Sequence, residues 1–271
     1  MTLEILISTI DEGIYNIPAM LLEPHDGIGY LVSWQHSEGK ETAPPEELKR
    51  DDVKVVELAG RGLSRNRNNC LRHATADLCL IADDDCQYTP QQLQAVIDTF
   101  EQHPEVDIAA FKYTSMNREK KYPSQSIDLA TPPRGYYVSS IEIAFKRESL
   151  QGKLWFNELF GIGAPLSCGE EEVLVLSAVR HGLKCQFFPI DIVRHDNVTS
   201  SFSGVEKSGM LMARGAYTYL AHPKSFMARI LLGGYRLKKR YGVGMRHGVK
   251  NMLAGVRYFK QHRHDKQSYN I

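Results

Sequence analysis

Short apolar runs alternate with amphipathic stretches through the first part of the chain, and the alternation predicts strands and helices in turn. Leu3–Ile7 is an apolar run that ends at Ser8, Thr9 and Asp11, and it reads as a first strand. Ile28–Trp34 and Val53–Leu58 have the same character, with a polar loop containing Pro44-Pro45 between them. Gly60-Arg-Gly-Leu-Ser64 then turns the chain, and Ser64 suits the N-cap of a helix running to near Ala76. Leu78–Ala82 reads as a buried strand that stops at Asp83, Asp84 and Asp85. Thr89-Pro-Gln-Gln92 puts threonine at the N-cap, proline at the first helical position and glutamine where a capping box needs it. That helix runs to near Gln102 and is closed by Pro104.

The middle of the chain is patterned differently. Thr114–Arg134 is long, polar and punctuated by prolines, the mark of a functional loop. Ser139–Lys146 alternates, with Ile141, Ile143 and Phe145 on one face of an expected half-buried strand. Gly169 precedes a helix that opens on Glu170-Glu-Glu172 and ends near Gly182. Lys184–Phe188 and Ile192–Val193 read as two short strands leading to Arg194-His195. Beyond Pro223 the sequence turns helical and basic. Strand–helix alternation implies an α/β fold with a parallel-rich sheet, where ligands sit outside the carboxyl ends of the strands. The three aspartates fall at such an end.

Composition narrows the class. With 42% hydrophobic and 24% charged residues in 271, the chain has the makings of a packed core. No stretch reaches the roughly 18 uninterrupted apolar residues of a membrane-spanning helix. Acidic Glu4 stands where a secretory signal would carry basic residues. Five cysteines without a CxxC pair argue against a disulfide framework or a structural zinc site, so reduced thiols in the cytoplasm are expected. The net charge of +1 conceals a division: residues 222–271 hold 12 Lys/Arg against the single acid Asp265, whereas residues 1–221 hold 21 bases and 31 acids. The expected organisation is therefore an acidic domain, 1–221, followed by a basic amphipathic helical segment, 222–271.

Several clusters have chemical potential. Three adjacent carboxylates repel one another and gain from a cation, and oxygen donors suit a hard ion such as Mg²⁺ or Mn²⁺ that shares its shell with phosphates. The same triplet also suits a solvated turn capping the next helix. Arg65 and Asn68 lie three apart on the preceding helix, whose N-terminus attracts anions. Glu170–Glu172 fits a helix's first turn for reasons of the macrodipole alone, but a carboxylate there also suits a general base. His195, after an apolar strand, is either structural or a neutral imidazole completing a carboxylate-rich metal site.

In order along the chain, Leu3–Asp11, Gly62-Leu-Ser-Arg-Asn-Arg-Asn68, Leu80-Ile-Ala-Asp-Asp-Asp85, Phe156–Gly161 with Gly169-Glu-Glu171, and Ile192-Val-Arg-His195 resemble the motifs of the inverting family 2 glycosyltransferases. The resemblance covers roughly residues 1–200. Ser139–Phe145 and Arg214-Gly give it the look of enzymes that build bacterial surface polysaccharides. It implies a GT-A fold, a Rossmann-like mixed sheet flanked by helices, with the basic helical extension appended. It further implies that Thr9, Asp11, Arg65 and Asn68 hold the nucleotide, with Asp83 and Asp84 near the ribose or sugar. Asp85 would be the metal ligand, with Mn²⁺ or Mg²⁺ as cofactor. The family's base is the second acid of a Glu-Asp pair and maps onto Glu171, with Glu170 as the alternative because the pair here reads Glu-Glu. The Pro-x-Tyr-Asn that usually follows the first strand is absent, as is the Gln-x-x-Arg-Trp of processive synthases.

The activity implied is transfer of one sugar from a nucleotide-diphosphate donor, a UDP-sugar, to a hydroxyl of a glycan or lipid-linked acceptor, with inversion. A metal-dependent nucleotidyltransferase would carry a glycine-rich loop with lysine after the first strand, and Ser8–Gly13 has none. A non-catalytic sugar-nucleotide or polysaccharide binding protein would bind without turnover. A nucleic-acid partner is not expected, since no helix-turn-helix or zinc pattern accompanies the basic segment. That segment interleaves apolar and basic residues, which predicts either packing on the catalytic domain or attachment to an anionic membrane surface, placing the protein in the cytoplasm at the inner face of the membrane. Loop 114–134 and residues 200–222 are expected to shape the acceptor site.

Overall fold

The structure is a computed structural model and describes residues 1–37, 43–117, 120–196 and 207–265. Residues 118–119 and 200–206 of the expected acceptor segments, and 266–271 of the basic segment, lie outside the described residues. The chain divides into two compact units. The first comprises Met1–Arg61, Arg65–Trp155 and Val175–Asn197, and the second Gly62–Ser64, Phe156–Leu174 and Val198–Ile271.

The first unit holds the sheet. Its strands are β1 (Leu3–Ile10), β2 (Ile28–His36), β3 (Val53–Ala59), β4 (Leu78–Asp83), β5 (Ile108–Thr114), β6 (Ile127–Asp128), β7 (Ile143–Lys146) and β8 (Cys185–Arg194). They lie in the order β3-β2-β1-β4-β7-β5-β8-β6. β1 pairs parallel with β2 and β4, β2 with β3, and β5 with β8. β7 runs antiparallel between β4 and β5, and β6 runs antiparallel to β8. The mixed α/β sheet flanked by helices agrees with the expected fold. Leu3, Ile5, Leu6 and Ile7 are all buried, because a central parallel strand is covered on both faces.

Helix α1 (Leu63–His73) leads into β4, and α2 (Pro90–Gln102) follows the aspartates. The capping box at Thr89 is formed: Gln92 N donates to Thr89 Oγ1 at 3.2 Å, and Thr89 N donates to Gln92 Oε1 at 2.9 Å. A single-turn helix α3 (Arg147–Leu150) and helix α4 (Glu170–Arg180) complete the alternation.

The structure corrects two expectations about this half. The segment 139–146 is a 3-10 turn at Ser140–Glu142 followed by β7, and Ile143, Ala144 and Phe145 are all fully buried. β7 lies inside the sheet between β4 and β5 with side chains on both faces buried, so alternation does not mark an exposed one. The two short strands expected near 184–193 are a single strand, β8. It continues through Pro189 because its register with β5 shifts between Ala110 and Lys112, a place where a proline's missing N–H leaves no gap in the ladder.

Loop 114–134 is anchored by Lys120, which is buried with its Nζ 2.7 Å from both carboxylate oxygens of Glu142. The rings of Tyr137, Tyr122, Tyr136 and Tyr113 surround the ammonium at 4.1, 5.1, 5.7 and 6.0 Å. Burial pushes the Glu142 carboxyl up, while Lys120 and the hydrogen bonds from Lys120, Tyr122 and Ser139 oppose that shift.

In the second unit, α5 (Ser208–Ala221), α6 (Phe226–Tyr241) and α7 (Met245–His262) pack together. The α5–α7 crossing is so close that a Cβ on Gly215 would lie 2.0 Å from the Met252 carbonyl oxygen, and one on Gly255 would lie 1.9 Å from that of Met212. The basic stretch after residue 222 therefore buries part of its apolar surface against itself and α5: Ile230, Leu237, Met252 and Val256 cluster with Leu211. No described helix is long and apolar enough to cross a membrane.

Candidate functional site

At the carboxyl end of β4, the chain leaves the sheet at Asp83 and turns through Asp84 and Asp85 before α2. Successive residues point in different directions there, so each carboxylate meets a different element. Asp83 Oδ1 accepts from Arg67 Nη2 of α1 at 3.2 Å. Asp84 Oδ2 accepts from Thr9 Oγ1 of β1 at 2.5 Å. Asp85 Oδ1 lies 2.9 Å from His195 Nε2.

The last contact depends on an isolated antiparallel bridge. Gln87 N donates to the Arg194 carbonyl and Arg194 N to the Gln87 carbonyl, both at 2.9 Å, which brings the end of β8 against the turn. His195 N also donates to the Thr114 carbonyl at 2.9 Å, fixing the imidazole's backbone. His195 is buried, and its hydrogen bond to Asp85 raises its pKa against the opposing effect of burial; the charges of Asp85 and Asp83 add to the rise. Asp84's carboxyl is also pushed up, chiefly by burial, with the neighbouring Asp85 and Asp83 charges adding and the Thr9 hydroxyl opposing. The two shifts differ in origin: burial dominates at Asp84, and the hydrogen bond to Asp85 dominates at His195, with the neighbouring carboxylates adding to both.

The end of β1 forms the adjoining wall. Thr9 and Asp11 are buried, and Asn66 Nδ2 donates to the Thr9 carbonyl at 2.9 Å. Asp11 has a φ of 51°, the left-handed conformation that aspartate adopts more readily than most residues. Its carboxylate accepts from Ser37 N at 2.7 Å and Ser37 Oγ at 2.6 Å, and its carbonyl accepts from Trp34 Nε1 at 2.9 Å. Arg61 approaches the same carboxylate at 3.8 Å from an exposed position. Gly13 completes this wall, since a Cβ there would lie 2.2 Å from Asp84 Oδ2 and 2.4 Å from Thr9 Oγ1.

The structure thus brings Thr9, Asp83, Asp84, Asp85 and His195 together and sets Asp11 beside Ser37. Of the two α1 residues singled out, Arg65 is exposed beside Gly60 and Asn68 is fully buried. Sequence reasoning missed Arg67, the buried cation that holds Asp83. Arg65 and Arg67 stand two apart on one helix and so point to widely different faces, and the packing of α1 turns Arg67 inward.

Glu170, Glu171 and Glu172 form the first turn of α4 in the second unit's part of the chain. Glu170 is buried, with its carboxyl carbon 3.2 Å from where a Cβ on Gly161 would lie. Glu171 and Glu172 are partly exposed.

Among the described residues no three His, Cys, Asp or Glu side chains are grouped so as to hold a metal ion on their own. Asp85 and His195 nevertheless offer a carboxylate and an imidazole 2.9 Å apart, a donor pair suited to Mn²⁺ or Mg²⁺ when phosphate and water supply the rest.

Residues 39–164 match the family model described as Glycosyl transferase family 2, which spans α1 and the aspartate turn and stops before Glu170. No curated protein matches the chain. Among solved structures, S. aureus TarS 1-349 is similar in fold, with a TM-score of 0.58 at 12% identity over 98% of this chain and 93% of that one. TarS 1-349 in complex with UDP-GlcNAc gives a TM-score of 0.59 at 13% identity over 96% and 92% of the two chains. A longer TarS chain is similar at 11% identity and a TM-score of 0.58, with 97% of this chain covering 55% of that one. The shared fold is GT-A, and with the family match it supports a glycosyltransferase.

Proposed function

We propose that the protein is a non-processive, inverting glycosyltransferase that moves one sugar from a nucleotide-diphosphate donor to a hydroxyl of a glycan or lipid-linked acceptor in the cytoplasm. The carrying observation is the carboxylate turn at the end of β4, with each acid held by a different element, inside the stretch that matches the family model. Such a strand end is where an α/β sheet binds its ligand. That TarS has been crystallised with UDP-GlcNAc and with UDP supports a UDP-sugar as the donor.

Each residue then has a task. Thr9 and Asn66 fix the end of β1 beside Asp84, and Asp11 and Ser37 shape the wall that receives the nucleotide, with exposed Arg65 available to a phosphate. Arg67 keeps Asp83 in place for the ribose or sugar. Asp85 and His195 would hold a divalent ion, which supplies charge neutralisation for the departing diphosphate.

Glu171 takes the acceptor hydroxyl's proton as that oxygen attacks the anomeric carbon on the face opposite the leaving group. The bond to the diphosphate oxygen breaks as the new glycosidic bond forms, inverting the centre. Partial exposure supports Glu171 over Glu170 for this role, because a base must reach an incoming hydroxyl and Glu170 is buried.

The basic helices support a peripheral site of action in surface-polysaccharide synthesis. α6 uses Ile230, Gly233, Gly234 and Leu237 for packing, yet Met227, Leu231, Leu232 and Tyr235 remain exposed among its cations. A helix with a second apolar row and basic flanks suits an anionic membrane surface.

A thermal-shift series with nucleotide sugars, each with and without Mn²⁺, tests the activity class. A UDP-sugar should raise Tm, and Mn²⁺ should enlarge the rise, because a ligand that binds only the native state stabilises it. No shift with any nucleotide sugar would contradict the assignment.

A further inference from the structure

Between α6 and α7 lies a groove of about 480 Å³ whose floor is formed by Leu231, Val249 and Leu253 and whose rim carries Arg246, Lys250 and Arg257. The three cations stand at i, i+4 and i+11 of α7, so they line one side of that helix, with Val249 and Leu253 beside them. No Asp or Glu occurs between residues 222 and 264, so this stretch supplies no acid of its own to neutralise them. The groove is apolar below and cationic above.

The geometry points to a binding site for a single anionic phospholipid, with the headgroup phosphate between Arg246, Lys250 and Arg257 and the first part of an acyl chain on the Leu231–Val249–Leu253 floor. The inference rests on the membrane reading above and sharpens it: the groove takes a lipid molecule, while the remaining cations meet only the surface potential. Charge complementarity selects the occupant. A peptide helix would use the floor but leave three cations beside an apolar partner, and a free phosphate would use the cations but leave the floor wet. A phospholipid satisfies both in one molecule. Arginine adds a planar fork that matches phosphate oxygens, which a diffuse surface charge does not need.

The full chain is the test object, and its binding is read in two assays. The first is co-sedimentation with vesicles of phosphatidylcholine containing phosphatidylglycerol. The second is calorimetric titration with dihexanoyl phosphatidylglycerol below its micellar concentration, with glycerol phosphate as competitor. Two triple variants are compared: Arg246→Gln/Lys250→Gln/Arg257→Gln in the groove, and Lys238→Gln/Lys239→Gln/Arg240→Gln at the end of α6.

The groove variant should lose short-chain lipid binding by about 10²-fold, each cation being worth about fivefold at an anionic headgroup. The α6 variant should bind short-chain lipid like the wild type while weakening on vesicles. Leu231→Asn, at an exposed position, should weaken short-chain lipid binding and leave folding unchanged. Equal loss in both triple variants, or full competition by glycerol phosphate, would overturn the groove while leaving the membrane reading standing. Absence of vesicle binding by the wild-type chain would overturn the membrane reading itself.

Discussion

Two runs of three acids mark this chain, and the fold treats them in opposite ways. Asp83–Asp85 leaves a strand, where neighbouring side chains diverge, and each carboxylate finds its own partner in Arg67, Thr9 or His195. Glu170–Glu172 begins a helix, where each residue turns about 100° from the last, so one acid is buried and two stay partly exposed. The strand end sets each carboxylate against a different element, whereas the helix start buries Glu170 and leaves Glu171 and Glu172 partly exposed. In the proposed function the aspartates bind and Glu171 carries the chemistry.

The largest expected effect is on turnover. Glu171→Gln should cost about 10²–10⁴-fold in kcat, the usual range for losing a general base, while donor affinity changes less than about twofold. Full activity in both Glu171→Gln and Glu170→Gln would remove the helix cluster from the mechanism, whereas an active Glu171→Gln beside an inactive Glu170→Gln would move the role by one residue. Next, Asp85→Ala should abolish the Mn²⁺-dependent part of donor affinity, a loss of about 10²-fold, read by titration with and without EDTA. Unchanged affinity in Mn²⁺ would break the binding half of the comparison.

A smaller effect is expected at Arg67. Methionine keeps much of the side chain's bulk but leaves Asp83 without this cation, and because Asp83 is partly exposed the cost should be about 1–2 kcal/mol. That corresponds to a fall in Tm of roughly 2–8 °C by scanning calorimetry, and a Tm equal to wild type would show that Asp83 does not depend on this ion pair. Smallest of all, Glu172→Gln should leave kcat within about twofold. A loss as large as that of Glu171→Gln would mean that the helix cluster acts as a block rather than through one face.

Much of the fold was legible in the chain because its signals are local. β1, β2, β3 and β4 follow apolar runs, and α2 follows its capping box. β5 passed unread: Ile108-Ala-Ala-Phe111 is short and rich in alanine, and it becomes a strand only because β7 and β8 pair with it. The true character of β7 was hidden for a similar reason, since its place inside the sheet and the burial of both faces are decided by residues distant in sequence. At the site, the aspartate turn was visible as three charges at a strand's end. The pairing of Asp85 with His195 was not geometrically legible, because it depends on a bridge between Gln87 and Arg194. Arg67 was overlooked because exposed and buried arginines on one helix look alike until the sheet shows which face it covers.

The division of labour between the two acidic runs is the central claim, and calorimetric titration of a UDP-sugar in Mn²⁺ against Asp85→Ala and Glu171→Gln tests it most directly. Glu171→Gln should bind the donor within about twofold of wild type and fail in turnover, while Asp85→Ala should lose about 10²-fold in affinity. Equal loss of donor binding in both variants, or wild-type binding by Asp85→Ala, would contradict it.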